Sequence, residues 1–93
     1  MAALSVTPDP LSAGGQATIT YSGGTPNGSV TVDIDNGESP PNDRTDTVQI
    51  QLDENGNGTA TWNVPSSGWE SAGFNESHVQ EVTRQIIGGS PPH

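Results

Sequence analysis

The chain lacks cysteine and lysine, and each absence narrows what it can be. Without cysteine, neither a disulfide nor a thiolate metal site can form. Two basic residues, Arg44 and Arg84, stand against 11 acidic ones, which gives a formal net charge of -9. Nucleic acid and anionic membrane surfaces bind clustered Lys and Arg, so neither is an expected partner.

Long apolar runs are also missing. No stretch approaches the roughly 18 residues that would suggest a membrane span, and residues 1–4 lack the basic flank and apolar run of a signal peptide. Val, Ile, Leu and Phe make up about 17 % of the 93 residues, below the ~20 % that, at high net charge, is typical of disorder. Composition alone therefore allows an acidic disordered tail or a small, lightly cored β domain.

Alternation of apolar and polar residues favours the folded domain. Four segments place every second side chain on one apolar face, and they are residues 16–21, 29–35, 47–52 and 59–64. A period of two with β-branched enrichment predicts half-buried antiparallel strands. A short strand over 4–7 and two later strands over 69–75 and 79–87 bring the expected count to six or seven.

The segments between the predicted strands contain residues that favour turns and loops. Residues 53–58 (Asp-Glu-Asn-Gly-Asn-Gly) separate two strongly alternating segments and predict a hairpin. Residues 36–46 predict a longer loop. A helix over 76–87 is the alternative to the last strand. We expect one domain over 1–87 and a flexible tail or linker over 88–93.

The order of these segments resembles bacterial immunoglobulin-like (Ig-like) modules. The resemblance lies in Ser5-Val6-Thr7-Pro8, in Ala13-Gly14-Gly15-Gln16, in Gly28-Ser29-Val30-Thr31-Val32 and in the stretch from Leu52 to Val64-Pro65. It implies an all-β, Greek-key β-sandwich of about seven short antiparallel strands. It also implies a spacer, adhesion or binding role in surface or secreted bacterial proteins, or a displayed domain on phage particles. After Pro65 the chain departs from the pattern, because residues 70–77 alternate poorly.

Two acidic groups are candidate metal sites. Asp53, Asn55 and Asn57 stand two apart, as oxygen ligands of Ca²⁺ can, but Val64 occupies the place where a closing glutamate is needed. Asp33 and Asp35 share the solvent face of a strand, and Glu38, Asp43 and Asp46 follow them. We expect a plain turn and a solvated face, with no cofactor, and keep Ca²⁺ binding as the alternative.

The aromatic residues offer one candidate ligand site. Trp62 is in phase with Ala60 and Val64 and is predicted to lie in the core. Trp69 is a candidate for binding sugars by stacking, together with Tyr21 or Phe74. The alternative is that Trp69 is a buried aromatic at the edge of the core.

The sequence gives little support for a catalytic role. No Gly-x-Ser-x-Gly elbow is present, His78 is the only histidine away from the terminus, and Asp33 and Asp35 are expected on a convex face. We therefore expect a non-catalytic Ig-like structural or recognition module, acting as a spacer or adhesion domain of a larger bacterial surface protein. The alternatives are a carbohydrate- or calcium-binding module and a decoration domain of a phage virion. The location would be extracellular or cell-surface, or the virion, and the partners a protein, a glycan or neighbouring domains.

Overall fold

A computed structural model describes residues 2–8, 11–69 and 71–76, and the backbone of 79–86. The chain is all-β in this part. The strands are β1 (Ala3–Thr7), β2 (Gln16–Ser22), β3 (Ser29–Asp35), β4 (Thr45–Gln51), β5 (Gly58–Asn63), β6 (Ser71–Glu76) and β7 (Val79–Ile86).

The strands form two antiparallel sheets, which confirms the expectation of a two-layer β architecture. One sheet has the order β1-β2-β5 and the other the order β4-β3-β6-β7. Paired residues include Thr18 with Thr61 between β2 and β5, and Ile34 with Phe74 between β3 and β6. Two pairs of neighbours are thus far apart in sequence, so the chain crosses repeatedly between the sheets.

The predicted hairpin around residues 53–58 is wrong. β4 pairs with β3, and β5 pairs with β2, so the turn carries the chain from one sheet to the other. Alternation could not distinguish the two arrangements, because both place Ile50 and Trp62 on inward faces. The turn itself forms, with Gly56 at a φ of 79°.

The core lies between the two sheets and follows the predicted phase. In β3, Val30, Val32 and Ile34 are buried, while Thr31 and Asp33 are exposed. The buried apolar side chains are Leu4, Val6, Leu11, Ala17, Ile19, Tyr21, Val30, Val32, Ile34, Ile50, Leu52, Trp62, Val64, Trp69, Ala72 and Phe74. Burial of one face of each sheet is what stabilises such a two-layer fold.

The chain's last segments are strands. β6 buries Ala72 and Phe74 as expected, and β7 replaces the alternative helix over 76–87. The β6–β7 register shifts on either side of Phe74, which marks a bulge or irregularity. The predicted tail over 88–93, His78 and the side chain of Arg84 lie outside the described residues.

Trp62 joins the two sheets on the side where β4 faces β5. Its indole Nε1 donates a hydrogen bond to Asp46 Oδ2 at 2.9 Å, and Asp46 Oδ1 accepts one from the Thr47 N–H at 2.8 Å. Asp46 was expected in a loop beside other acids, but it lies in β4 with both carboxylate oxygens engaged. The indole of Trp62 also meets Trp69 and Phe74 edge-on, with centroids 5.2 and 5.7 Å apart.

Candidate functional site

Asn36 holds together the loops at one end of the sandwich. Its side chain is 2 % exposed and makes four hydrogen bonds, all to main-chain atoms. Nδ2 donates to the carbonyls of Asn42 and Gly68 at 3.0 Å each. Oδ1 accepts from the N–H groups of Glu38 at 3.2 Å and Arg44 at 3.0 Å. One buried amide therefore fixes the 37–44 loop against the turn that precedes Trp69.

A groove of about 430 Å³ lies over these loops, and we call it the Asn36 groove. Its volume lies in the roughly 300–1,000 Å³ range of small-molecule sites. The lining residues are Asn36, Glu38, Asn42, Arg44, Ser67, Gly68 and Trp69. Asn36 bonds to the main chain of four of the other six, so the shape of the groove depends on it.

Arg44 and Trp69, which line the groove, carry N–H groups without a partner among the described residues. The guanidinium of Arg44 donates through Nη1 to the carbonyls of Pro41 at 3.3 Å and Asp43 at 2.9 Å. Its Nε and Nη2, and the Nε1 of Trp69, make no hydrogen bond to any residue that the structure describes. Buried indole N–H groups usually have an acceptor.

The predicted stacking platform around Trp69 does not assemble. Trp69 is 8 % exposed and packs against Trp62, so little of its indole is open to a ligand in the groove. Phe74 is fully buried. The Tyr21 hydroxyl donates to the buried Glu76 Oε2 at 3.2 Å, and burial, followed by the charge of Glu76, raises the pKa of Tyr21.

Sequence reasoning missed Asn36, although a signal was present. Asn36 continues the inward phase of Val32 and Ile34 one step past the strand. A polar side chain in an inward phase must find hydrogen-bond partners, because its burial without them is costly. Asn36 instead stood at the start of the loop predicted over residues 36–46.

The acidic candidates for a metal site stay dispersed. Asp33 is exposed on β3, and Asp35 Oδ1 accepts a hydrogen bond from the Gly37 N–H at 2.9 Å. Among the residues the structure describes, no three His, Cys, Asp or Glu side chains gather closely enough to hold a metal ion.

Asp53 organises the turn that crosses between the sheets. Its Oδ1 accepts hydrogen bonds from the N–H groups of Asn55 at 2.8 Å and Asn57 at 3.0 Å. These bonds, first from Asn57 and then from Asn55, hold the pKa of Asp53 below its ordinary value. Oδ1 of Asp53, the first of the candidate calcium ligands, therefore already accepts hydrogen bonds from the backbone of its own turn.

Replacing Asp53 should weaken the pH dependence of stability in acid. Because the folded-state pKa is lowered, the stabilisation is present above the unfolded pKa of about 3.9 and is lost as the pH falls through the folded value. We expect the wild-type chain to lose more unfolding free energy than Asp53→Asn between about pH 5 and pH 2.5, measured by urea denaturation. Equal slopes for the wild-type chain and Asp53→Asn would contradict this role of Asp53.

The opposite end of the sandwich holds a second cavity. It has a volume of about 470 Å³ and lies beside Ala2, Tyr21, Gly24, Thr25 and Leu52, with glycines making up much of its wall. The cavity has no charged lining residue within the described part of the chain. It offers few directional groups for a ligand, so the Asn36 groove is the stronger candidate site.

Comparisons with protein-family models, curated proteins and solved structures found no match. In the described part of the chain, no helix is long and apolar enough to cross a membrane.

Proposed function

We propose that the chain is a non-catalytic Ig-like module, a structural or recognition unit of a larger bacterial surface protein. Support comes from the strand order, in which β2 neighbours β5 and β3 neighbours β6. Such non-consecutive neighbours in two antiparallel sheets are typical of Greek-key sandwiches. The resemblance of residues 5–8, 13–16, 28–32 and 52–65 to bacterial Ig-like modules points to the same class.

The observation that carries the proposal is the position of the first and last strands. β1 begins at Ala3, which pairs with Ser22 beside the loops over 23–28 and 53–58. β7 ends at Ile86, which pairs with Ser71 beside the Asn36 groove. The backbone therefore enters at one end of the strands and leaves at the other, which suits a module placed in line between neighbours.

The chemistry of the groove supports recognition rather than bond breaking. Its lining supplies amides, a hydroxyl, a carboxylate, a guanidinium and an indole. A serine nucleophile needs a base within hydrogen-bond reach, and the Ser67 hydroxyl has no such partner among the described residues. Loops held on a rigid sandwich are a common place for binding groups.

The in-line arrangement can be tested on a tandem of three copies joined end to end. We expect small-angle X-ray scattering to give a rod whose length is roughly three times that of one module, for which the longest extent is 38 Å. A tandem joined by long Gly-Ser linkers is the control and should show a broad range of shorter distances. A compact particle from the directly joined tandem would contradict the proposal.

A further inference from the structure

We infer that two copies of the chain pair antiparallel along β5, so that their β1-β2-β5 sheets join into one continuous sheet. The inference goes beyond the proposed function, because the in-line arrangement uses the ends of the strands rather than this edge. It is drawn from the open hydrogen-bonding groups of β5, from the lack of charge on its sheet and from the symmetry of its sequence.

β5 lies at the edge of its sheet and has main-chain groups with no strand to pair with. Its register with β2, its one neighbour in the sheet, is continuous. Just beyond the strand, the Val64 N–H donates to the Gly15 carbonyl at 2.9 Å, and in an antiparallel pair such bonds recur at every second residue. Ala60 and Trp62 therefore bond to β2. The main-chain groups that point away from β2 belong to Thr59, Thr61 and Asn63.

The β4 edge is protected in a way that the β5 edge is not. The Leu52 N–H bonds to the Gly28 carbonyl, and the same alternation turns the Thr47 N–H outward. Asp46 Oδ1 accepts that N–H at 2.8 Å. A charged side chain is a common protection of edge strands, and so is a proline. β5 contains neither, whereas β1, the other edge of its sheet, is followed at once by Pro8.

The sheet that contains β5 is free of charged residues, although the protein is strongly acidic. β1, β2 and β5 contain no acidic or basic residue, whereas the strands of the other sheet include Asp33, Asp35 and Asp46. Two copies that each carry a net charge of -9 repel each other. Contact along the uncharged sheet therefore costs less than contact along the acidic one.

The sequence of β5 suits a two-fold axis at Thr61. Antiparallel pairing about this residue places Thr61 opposite Thr61 of the second copy, and Thr59 opposite Asn63 of the second copy. All the outward main-chain groups then find partners, which gives about six N–H···O=C hydrogen bonds. The side chains that meet are uncharged, exposed and able to hydrogen-bond with one another. This self-complementarity favours a second copy over an unrelated strand.

The expected dimer is weak, because the pairing involves only a short strand. Interfaces below about 1,200 Å² are typical of transient complexes, and we expect a Kd of about 0.1–1 mM. Salt should strengthen the dimer, since it screens the repulsion between two negative copies. Because the pairing is antiparallel, the two chains run in opposite directions.

The test is a dilution series of the full chain, labelled with ¹⁵N, from about 2 mM to about 0.02 mM at low and high NaCl. The amide signals of residues 59–63 should shift with concentration as a monomer–dimer equilibrium requires. The Kd should be at least about threefold lower in about 500 mM than in about 50 mM NaCl.

The register can be read from an equal mixture of ¹³C-labelled and unlabelled chains. Isotope-filtered nuclear Overhauser effects should connect the Hα of Ala60 in one copy to the Hα of Trp62 in the other. These residues form the closely spaced, non-hydrogen-bonded pair beside the axis at Thr61.

Thr61→Lys is the variant designed to break the dimer. It places two ammonium groups opposite each other at the axis, and lysine on an edge strand opposes pairing. The dimer should weaken at least about tenfold, even though the variant lowers the net negative charge of each copy. Thr18→Lys is the matched control, because Thr18 is exposed beside Thr61 but lies on the central strand β2. It should keep the Kd within about threefold of the wild type. Circular dichroism checks that both variants fold.

A chain that stays monomeric at about 2 mM in high salt would overturn the inference. So would concentration-dependent shifts confined to β1 or β4, equal weakening by the two lysine variants, or contacts between copies that pair β5 with a different strand.

Discussion

Gly56→Ala should destabilise the chain by about 3–5 kcal/mol, the largest effect we expect from one methyl group. Gly56 has a φ of 79°, in the left-handed region that side chains disfavour. A Cβ at this position would also overlap the carbonyl oxygen of Gly24. Because the obstacle is backbone from the neighbouring loop, no rotamer change can relieve it. Urea denaturation of the variant and the wild type measures the loss.

Gly14→Ala is the matched control for backbone conformation. Gly14 has a φ of 76°, and a Cβ there would have no heavy atom within 4 Å outside its chain neighbours. We expect it to cost about 1 kcal/mol, from the conformational penalty alone. The difference between the two variants isolates the contact between the 53–58 turn and the 23–28 loop. Equal costs would show that these loops do not touch as described.

Asn36→Ala should cost about 2–3 kcal/mol of unfolding free energy. The substitution removes four hydrogen bonds at once and leaves the carbonyls of Asn42 and Gly68 and the N–H groups of Glu38 and Arg44 without this partner. The cost stays in this range because water can reach part of the exposed loop. Urea denaturation gives the magnitude, and amide hydrogen exchange should speed up in both loops.

Asn63→Ala provides the control for loss of an asparagine. Asn63 is exposed, and its Oδ1 accepts one hydrogen bond from Gln16 Nε2 at 3.1 Å. We expect a loss below about 0.5 kcal/mol, as for most surface substitutions. If Asn36→Ala cost no more than this, Asn36 would not be the group that joins the loops.

The inward and outward faces of the strands can largely be predicted from the local alternation of apolar and polar residues. The alternation in β3 places Val30, Val32 and Ile34 inward, and the structure buries all three. Trp62 could be assigned to the core in the same way, and it is 4 % exposed. Period-two alternation reports which face of a strand is buried, and this is enough to predict two apolar faces packed together.

The same alternation does not predict which strands pair with each other. The segments on either side of residues 53–58 have inward faces whether they pair with each other or belong to opposite sheets. The choice depends on where the turn points, and that is set by Asp53 bonding to its own turn and by contact of Gly56 with Gly24. The Asn36 groove could not be predicted from the sequence for a similar reason. Its lining residues come from two loops, 36–44 and 67–69, which are brought together only by the fold.

The most direct test of the account is the pattern of nuclear Overhauser effects between strands in the full chain. We predict backbone contacts between Val30 and Ile50 across β3 and β4, and between Thr18 and Thr61 across β2 and β5. These pairings place β4 and β5 in different sheets and set the course of the backbone from one end to the other. A continuous ladder of contacts pairing β4 directly with β5 would contradict the two-sheet arrangement and the argument built on it.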